Sequence, residues 1–296
     1  MTRRHTTEKV PADLPEFLSA MLKARGKRYR QALKLCQRAC SDRAVHFLRT
    51  AGRRLLASLE LHAAVAPDRR VQSARRILKE QLRRFSDLRD THVQLVLAAR
   101  LPSEFPGRDA FVDALRRQES RQMGKACDYI DRLSGEKLRK LIKALRKELP
   151  PLSVARARAV TRAKLADAFA RVSRRRAQID PDDTATIHRT RVAFKKFRYL
   201  LEGLAGALPE IMPPRRQVLR TYQRMMGEIQ DWEIFLASLR EFTEQTGRDG
   251  RLARSLFADL EQRRQALVAR YLRRAGELER FQPPSPKRTQ GIARSA

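Results

Sequence analysis

The chain has 296 residues, with 65 Lys plus Arg against 33 Asp plus Glu and a formal net charge of +32. An apolar fraction of 42% excludes a disordered basic tail, and no run of about 18 apolar residues exists to span a membrane. The charge excess exceeds what solubility requires and points to an anionic partner: nucleic acid, a membrane surface or another polyanion such as a phosphate polymer.

The N-terminal stretch MTRRHTTEKVPADLPEFL carries early positive charge but no apolar segment, which argues against a secretory signal. Residues 1–14 are expected to be a basic arm. Beyond it, Arg-, Leu-, Ala- and Gln-rich stretches place apolar residues three and four apart, the mark of amphipathic helices, and strand-like alternation is hard to find. The first set of helices is expected over about 15–40, 42–65, 68–100 and 109–148, the last with a break at Ser134–Gly135. Pro150–Pro151 is the natural seam. The second set is expected over about 155–178, 182–207, 214–245 and 249–280. Prolines at 15, 67, 102, 106, 181, 209, 213 and 214 mark joints, with Asp68, Asp109 and Asp180 as helix starts beside some of them. Residues 282–296 read as a disordered basic tail. Of three cysteines, Cys36 and Cys40 share a helix face as small hydrophobes; with Cys127 they make no disulfide framework, which suggests the cytoplasm.

The two sets echo each other. VHFLRTAGRRLLASLEL from Val45 and IHRTRVAFKKFRYLLEGL from Ile187 pair His46 with His188, Arg49 with Arg191, Arg53 with Lys195, Arg54 with Lys196, and Glu60 with Glu202. Downstream, LRRFSDLRDTHVQL and YQRMMGEIQDWEIFL pair Arg83 with Arg224 and Asp90 with Asp231. Asp90 follows His46 by 44 residues, and Asp231 follows His188 by 43. Two matches at nearly one separation indicate a duplication. The expected fold is therefore all-α: two four-helix bundles, 15–149 and 152–281, related by an internal pseudo-two-fold axis.

At 100° per residue, His188, Arg191, Lys195, Arg198 and Glu202 fall within an arc of about 80°. Phe194, Phe197, Leu201 and Leu204 fill the adjacent arc, so this helix should bury one stripe and present cations beside it. His46, Arg49, Arg53 and Glu60 repeat the arrangement against Leu48, Leu55 and Leu59; Leu56 stands where the second half has Arg198. Lys79 and Arg83, and their counterparts Arg220 and Arg224, would complete a basic wall in each half. Asp90 and Asp231 suit the orienting of arginines, as do Glu60 and Glu202, and no partner carboxylate or metal spacing accompanies them.

The paired His-x-x-Arg segments resemble the first signature of the CHAD domain, the conserved histidine α-helical domain. LRDTHV and IQDWEI are similar to its second signature, an Arg-Asp pair after a small residue near a bend. The resemblance covers roughly residues 15–281 as a single domain. It implies two four-helix bundles binding inorganic polyphosphate through a basic central cavity, and association with polyphosphate granules. Carried over residue by residue, His46, Arg49, Arg53, Arg54, His188, Arg191, Lys195, Lys196 and Arg198 match the first signature; Lys79, Arg83, Arg89, Arg220 and Arg224 match basic positions in or just before the second. Gly52, which costs a helix about 1 kcal/mol relative to Ala, and Gln230 in place of an Arg depart from the pattern. The Glu-x-Glu-x-Lys mark of the CYTH metalloenzymes often fused to this family does not occur, so a stand-alone, non-enzymatic module is expected, with no metal and no cofactor.

A phosphate chain offers charge without bases or apolar surface, so forked arginines and mobile lysines are its best receptor. Weak non-specific nucleic-acid binding is the first alternative. Against it, no helix-turn-helix, zinc-finger or RNA-recognition pattern stands out, and Phe47, Phe194, Phe197 and Trp232 sit mostly at core spacing. A phosphoanhydride-cleaving enzyme would need a metal cluster or a glycine-rich phosphate loop, and neither spacing is evident.

Overall fold

The computed structural model describes residues 14–147, 153–205, 208, 216–248 and 250–284. The Pro150–Pro151 seam, the arm over residues 1–13, Pro209, Pro213–Pro214 and the tail from 285 lie outside the described residues. The described residues contain α-helices and a closing 3₁₀ turn, and no strand. The helices are α1 (Leu14–Arg38), α2 (Asp42–Val65), α3 (Arg69–Arg84), α4 (Ser86–Ala98), α5 (Arg108–Asp131) and α6 (Glu136–Lys147). They continue with α7 (Val154–Ala177), α8 (Thr184–Leu204), α9 (Arg216–Gln245) and α10 (Arg251–Arg274), before the turn Ala275–Phe281.

Local chemistry sets several of these starts. Free N–H groups of a first helical turn need an acceptor, and short polar side chains supply it. Ser41 accepts from the Ala44 N–H at 3.4 Å to start α2, and Asp68 from the Arg70 N–H at 2.6 Å to start α3. Two expected starts shift. Asp109 lies inside the first turn of α5 behind Gly107, and α8 is capped by Asp183, which accepts from the Ala185 N–H at 2.9 Å, rather than by Asp180.

The stretch expected as one helix over 68–100 is two. Phe85 leaves helical geometry at φ −104°, ψ 7°, its ring buried against Tyr129 with centroids 5.9 Å apart. Ser86 donates its hydroxyl to the Arg83 carbonyl at 2.7 Å across the break. The corresponding stretch of the second half, α9, runs unbroken for 30 residues. The break near Ser134–Gly135 is present between α5 and α6.

Three clusters of buried side chains hold the helices together. One gathers Tyr29, Leu48, Leu55, Leu59, Phe85 and Ile142 from the first half. A second gathers Phe194, Phe197, Leu201, Leu204 and Tyr222, joined by Leu14, Leu18 and Met21 from α1. The third, around Phe111, Phe235 and Leu239, is shared by α4, α5, α9 and α10. The apolar stripes read from the two His segments are thus buried as expected, and two of the three clusters draw on elements from both ends of the chain.

The cysteine expectation needs correction. Cys36 is buried and unpaired, with burial pushing its thiol pKa up to about 11. Cys40, just past the end of α1, is bonded to Cys127 on α5, 87 residues away. Helix spacing shows Cys36 and Cys40 as neighbours but cannot show a third cysteine delivered by a distant helix. Thiol titration of the unfolded, unreduced protein should therefore count one free sulfhydryl and then three after reduction; three before reduction would contradict the bond.

Candidate functional site

The two His helices pack on each other, and α4 packs on α9. These four helices line a half-open cavity of about 350 Å³. From α2 come His46, Arg49, Thr50 and Arg53; from α4, Ser86, Arg89 and Asp90. From α8 come His188, Arg191, Lys195 and Tyr199, and from α9 Gln223, Gln230, Asp231 and Ile234. An adjoining space of about 580 Å³ shares His46, Arg89, Arg191 and Asp231 with it and adds Phe47, Arg54, Arg198, Arg220 and Arg224. Together they form one trough walled by cations from both halves of the sequence.

Most of the expected residues meet there, and three do not. Lys79 and Arg83 lie on α3, before the break at Phe85, and border a separate depression with Gln72, Arg75 and Arg76; Arg83 is paired with Glu80 at 3.0 Å. Their sequence counterparts Arg220 and Arg224 do reach the trough, because α9 continues where the first half bends. Lys196 points the other way, into a cleft with Glu60, Arg75 and Lys164. The orienting carboxylates also divide. Asp231 pairs with Arg89 at 3.6 Å, joining α9 to α4 across the cavity, whereas Glu60 pairs with Arg75 at 3.2 Å outside it. Glu202 pairs with Arg198 at 3.0 Å in a nearly buried contact, so Arg198 reaches the trough already neutralised.

The cations inside are short of acceptors. Arg49 Nε, Arg89 Nη1, Arg191 Nε and His188 Nδ1 are each buried without a hydrogen-bond partner. Buried donors are ordinarily satisfied, and leaving one unmade costs about 1–3 kcal/mol, more when the group is charged. The electrostatics register the same crowding. Burial, then Arg53 and Arg89, lower the Arg49 pKa to about 10. Burial and then Arg191 hold His188 below its ordinary range; burial, then Arg49, Arg89 and Arg53, do the same for His46. Asp90 and Asp231 are raised by burial, with Arg89 opposing in each case. An anion entering the cavity would satisfy the donors and relieve the repulsion among the cations.

Sequence reasoning missed the neutral lining: Thr50, Ser86, Tyr199 and Gln223. It also missed Gly227, which borders the adjoining space with its backbone beside the Arg191 guanidinium. The aromatic reading holds for Phe194 and Phe197, both fully buried, and fails for Phe47, which is 45% exposed beneath the Arg43 guanidinium. Trp232 is partly buried and borders a larger, more apolar pocket of about 820 Å³ that opens beside His46 and Arg89. No helix among the described residues is long and apolar enough to cross a membrane.

A helical fold with a basic trough between its two signature helices defines a class of protein. The chain belongs to the CHAD domain family, whose model matches residues 20–240. Its fold is similar to the crystal structure of the CHAD domain from the plant Ricinus communis, with a TM-score of 0.66 at 20% identity over 92% of this chain and 91% of that one. It is equally similar to PptA from Streptomyces chartreusis, with a TM-score of 0.66 at 16% identity over 91% of this chain and 100% of that one. A search of curated proteins gave no match.

Proposed function

We propose that this protein binds inorganic polyphosphate along the trough between α2, α4, α8 and α9, as a binding module rather than a catalyst. The observation that carries the reading is the set of buried, unpartnered donors on Arg49, Arg89 and Arg191, contributed by both halves and facing one cavity, with the unpartnered Nδ1 of His188 beside them. Membership of the CHAD family supports it. So does the narrow chemistry of the lining, with forked guanidiniums and hydroxyl or amide groups that match phosphate oxygens. The recurrence of the His-x-x-Arg pattern supports an internal duplication, in which each repeat supplies one wall about a pseudo-two-fold axis. Residence on polyphosphate granules would follow from binding alone.

Titration of long-chain polyphosphate across salt and pH tests the reading. The logarithm of the affinity should fall linearly with log salt, because bound phosphates displace their counterions. The pH dependence has a definite sign. His46 and His188 begin below their ordinary range in the free protein, and a phosphate beside them raises both. Binding therefore takes up protons. Affinity should rise as pH falls from about 8 towards 6 and flatten once the free imidazoles are protonated. The surrounding groups work in the same direction: a phosphate would also raise Asp90 and Asp231, while the arginines stay charged throughout. Affinity independent of both salt and pH would contradict the proposal.

Nucleic acid is the second reading, favoured by one observation: Phe47 stands exposed at the trough with Arg43 over its ring. A single exposed ring offers less than the series of stacking platforms that single-strand binders use.

A further inference from the structure

We propose that Asp42, His92 and Glu119 form a binding site for one divalent transition-metal ion of the zinc class, separate from the phosphate-binding residues and not dependent on that reading. Asp42 is the first residue of α2, His92 lies in the middle of α4, and Glu119 lies in the middle of α5. The three are scattered in sequence, so no motif spacing announces them. Folding brings one ligand atom from each to within 4.8 Å of the others.

The geometry fits a shared cation better than a hydrogen bond. His92 Nε2 lies 3.1 Å from Asp42 Oδ1 and 3.0 Å from Glu119 Oε1. An imidazole nitrogen carries one N–H and can direct it at one acceptor. Here two carboxylate oxygens stand at nearly equal distances, and the buried Nε2 is aligned to hydrogen-bond with neither. Donors held about 2.0–2.2 Å from a common metal lie roughly 3–3.5 Å from one another, which is the separation observed at the nitrogen. One imidazole with two carboxylates suits zinc, manganese or iron(II) and is poor for magnesium, which prefers oxygen ligands and retains its waters. The two carboxylates would balance the dication's charge within the site itself. Asp42 and His92 border the 820 Å³ pocket, leaving room there for water or an anionic oxygen as a further ligand.

Such an ion would tie the start of α2, four residues before His46, to α4 and α5. The test uses the full chain stripped with chelator and dialysed against Zn²⁺ in buffer free of phosphate and polyphosphate. Its outcome therefore stands apart from that of the polyphosphate titration. The wild type should bind one zinc per chain saturably. Zinc at about 100-fold over Kd should raise its Tm by roughly 4 °C, and Mg²⁺ should leave it unchanged. His92→Ala and Glu119→Gln should each lose the bound zinc and the shift; Glu119→Gln keeps side-chain volume and so guards against simple misfolding. A wild type without saturable one-to-one zinc overturns the site and leaves His92 lying between two carboxylates with no ion. Equal zinc binding by all three proteins overturns it as well.

Discussion

Arg49→Glu combined with Arg191→Glu should weaken polyphosphate binding by at least about 100-fold at physiological salt, whereas Lys79→Glu with Arg83→Glu should cost only a few-fold. Both double variants change net charge by the same amount, so the contrast separates a built site from a diffuse field. Arg49 and Arg191 face the cavity from opposite His helices, with buried Nε atoms that lack partners. A charge-assisted hydrogen bond contributes about 1.5–3 kcal/mol, and two of them account for a loss of two orders of magnitude or more. Lys79 and Arg83 sit on α3 in another depression, where Glu80 already partners Arg83. Their effect should be confined to long-range attraction, which salt screens within about 8–10 Å. Fluorescence anisotropy with end-labelled polyphosphate reads both variants; equal losses would show that net charge alone does the binding.

Phe194→Ala should lower stability by about 3–5 kcal/mol and Tm by roughly 5–10 °C. Phe194 is fully buried, its ring centroid 4.9 Å from Tyr222, 5.6 Å from Phe281 and 6.1 Å from Phe197. Removing it opens a cavity at the point where α8, α9 and the closing turn meet. That helix carries Arg191 and Lys195 on the adjacent stripe, so the loss should also loosen the trough wall, and saturating polyphosphate should restore part of the lost Tm. Val192→Ala on the same helix, at a site 39% exposed, should stay within about 0.5 kcal/mol of wild type. Thermal melts of the two variants check the claim, and similar Tm values would contradict the assigned core.

Periodicity carried most of the fold, because a helix that must bury a stripe and solvate the rest writes that need into its spacing. The His segments are the clearest case: Leu48, Leu55, Phe194 and Leu201 are buried, and Arg49 and Arg191 stand beside them in the cavity. Periodicity could not show the break at Phe85, since Arg84 and Ser86 continue the helical pattern and only burial of the Phe85 ring against a distant tyrosine redirects the chain. Aligning Lys79 and Arg83 with Arg220 and Arg224 was sound as sequence, yet only the second pair reaches the trough. Lys196 went astray for a simpler reason. One residue on from Lys195 it is turned about 100° around α8, and there it lines the cleft with Glu60 and Arg75 instead of the trough. The Cys40–Cys127 bond and the Asp42, His92 and Glu119 cluster rest on contacts between remote segments, for which a single sequence has no notation.

Competition between long-chain polyphosphate and double-stranded DNA of equal total charge, at about 0.15 M salt, tests the central claim most directly. Polyphosphate should displace DNA at far below equal charge, because the unpartnered donors lie inside a cavity of about 350 Å³ that a bare phosphate chain can enter and a duplex cannot. Even exchange at equal charge would contradict the account and leave the +32 charge acting as a non-specific field.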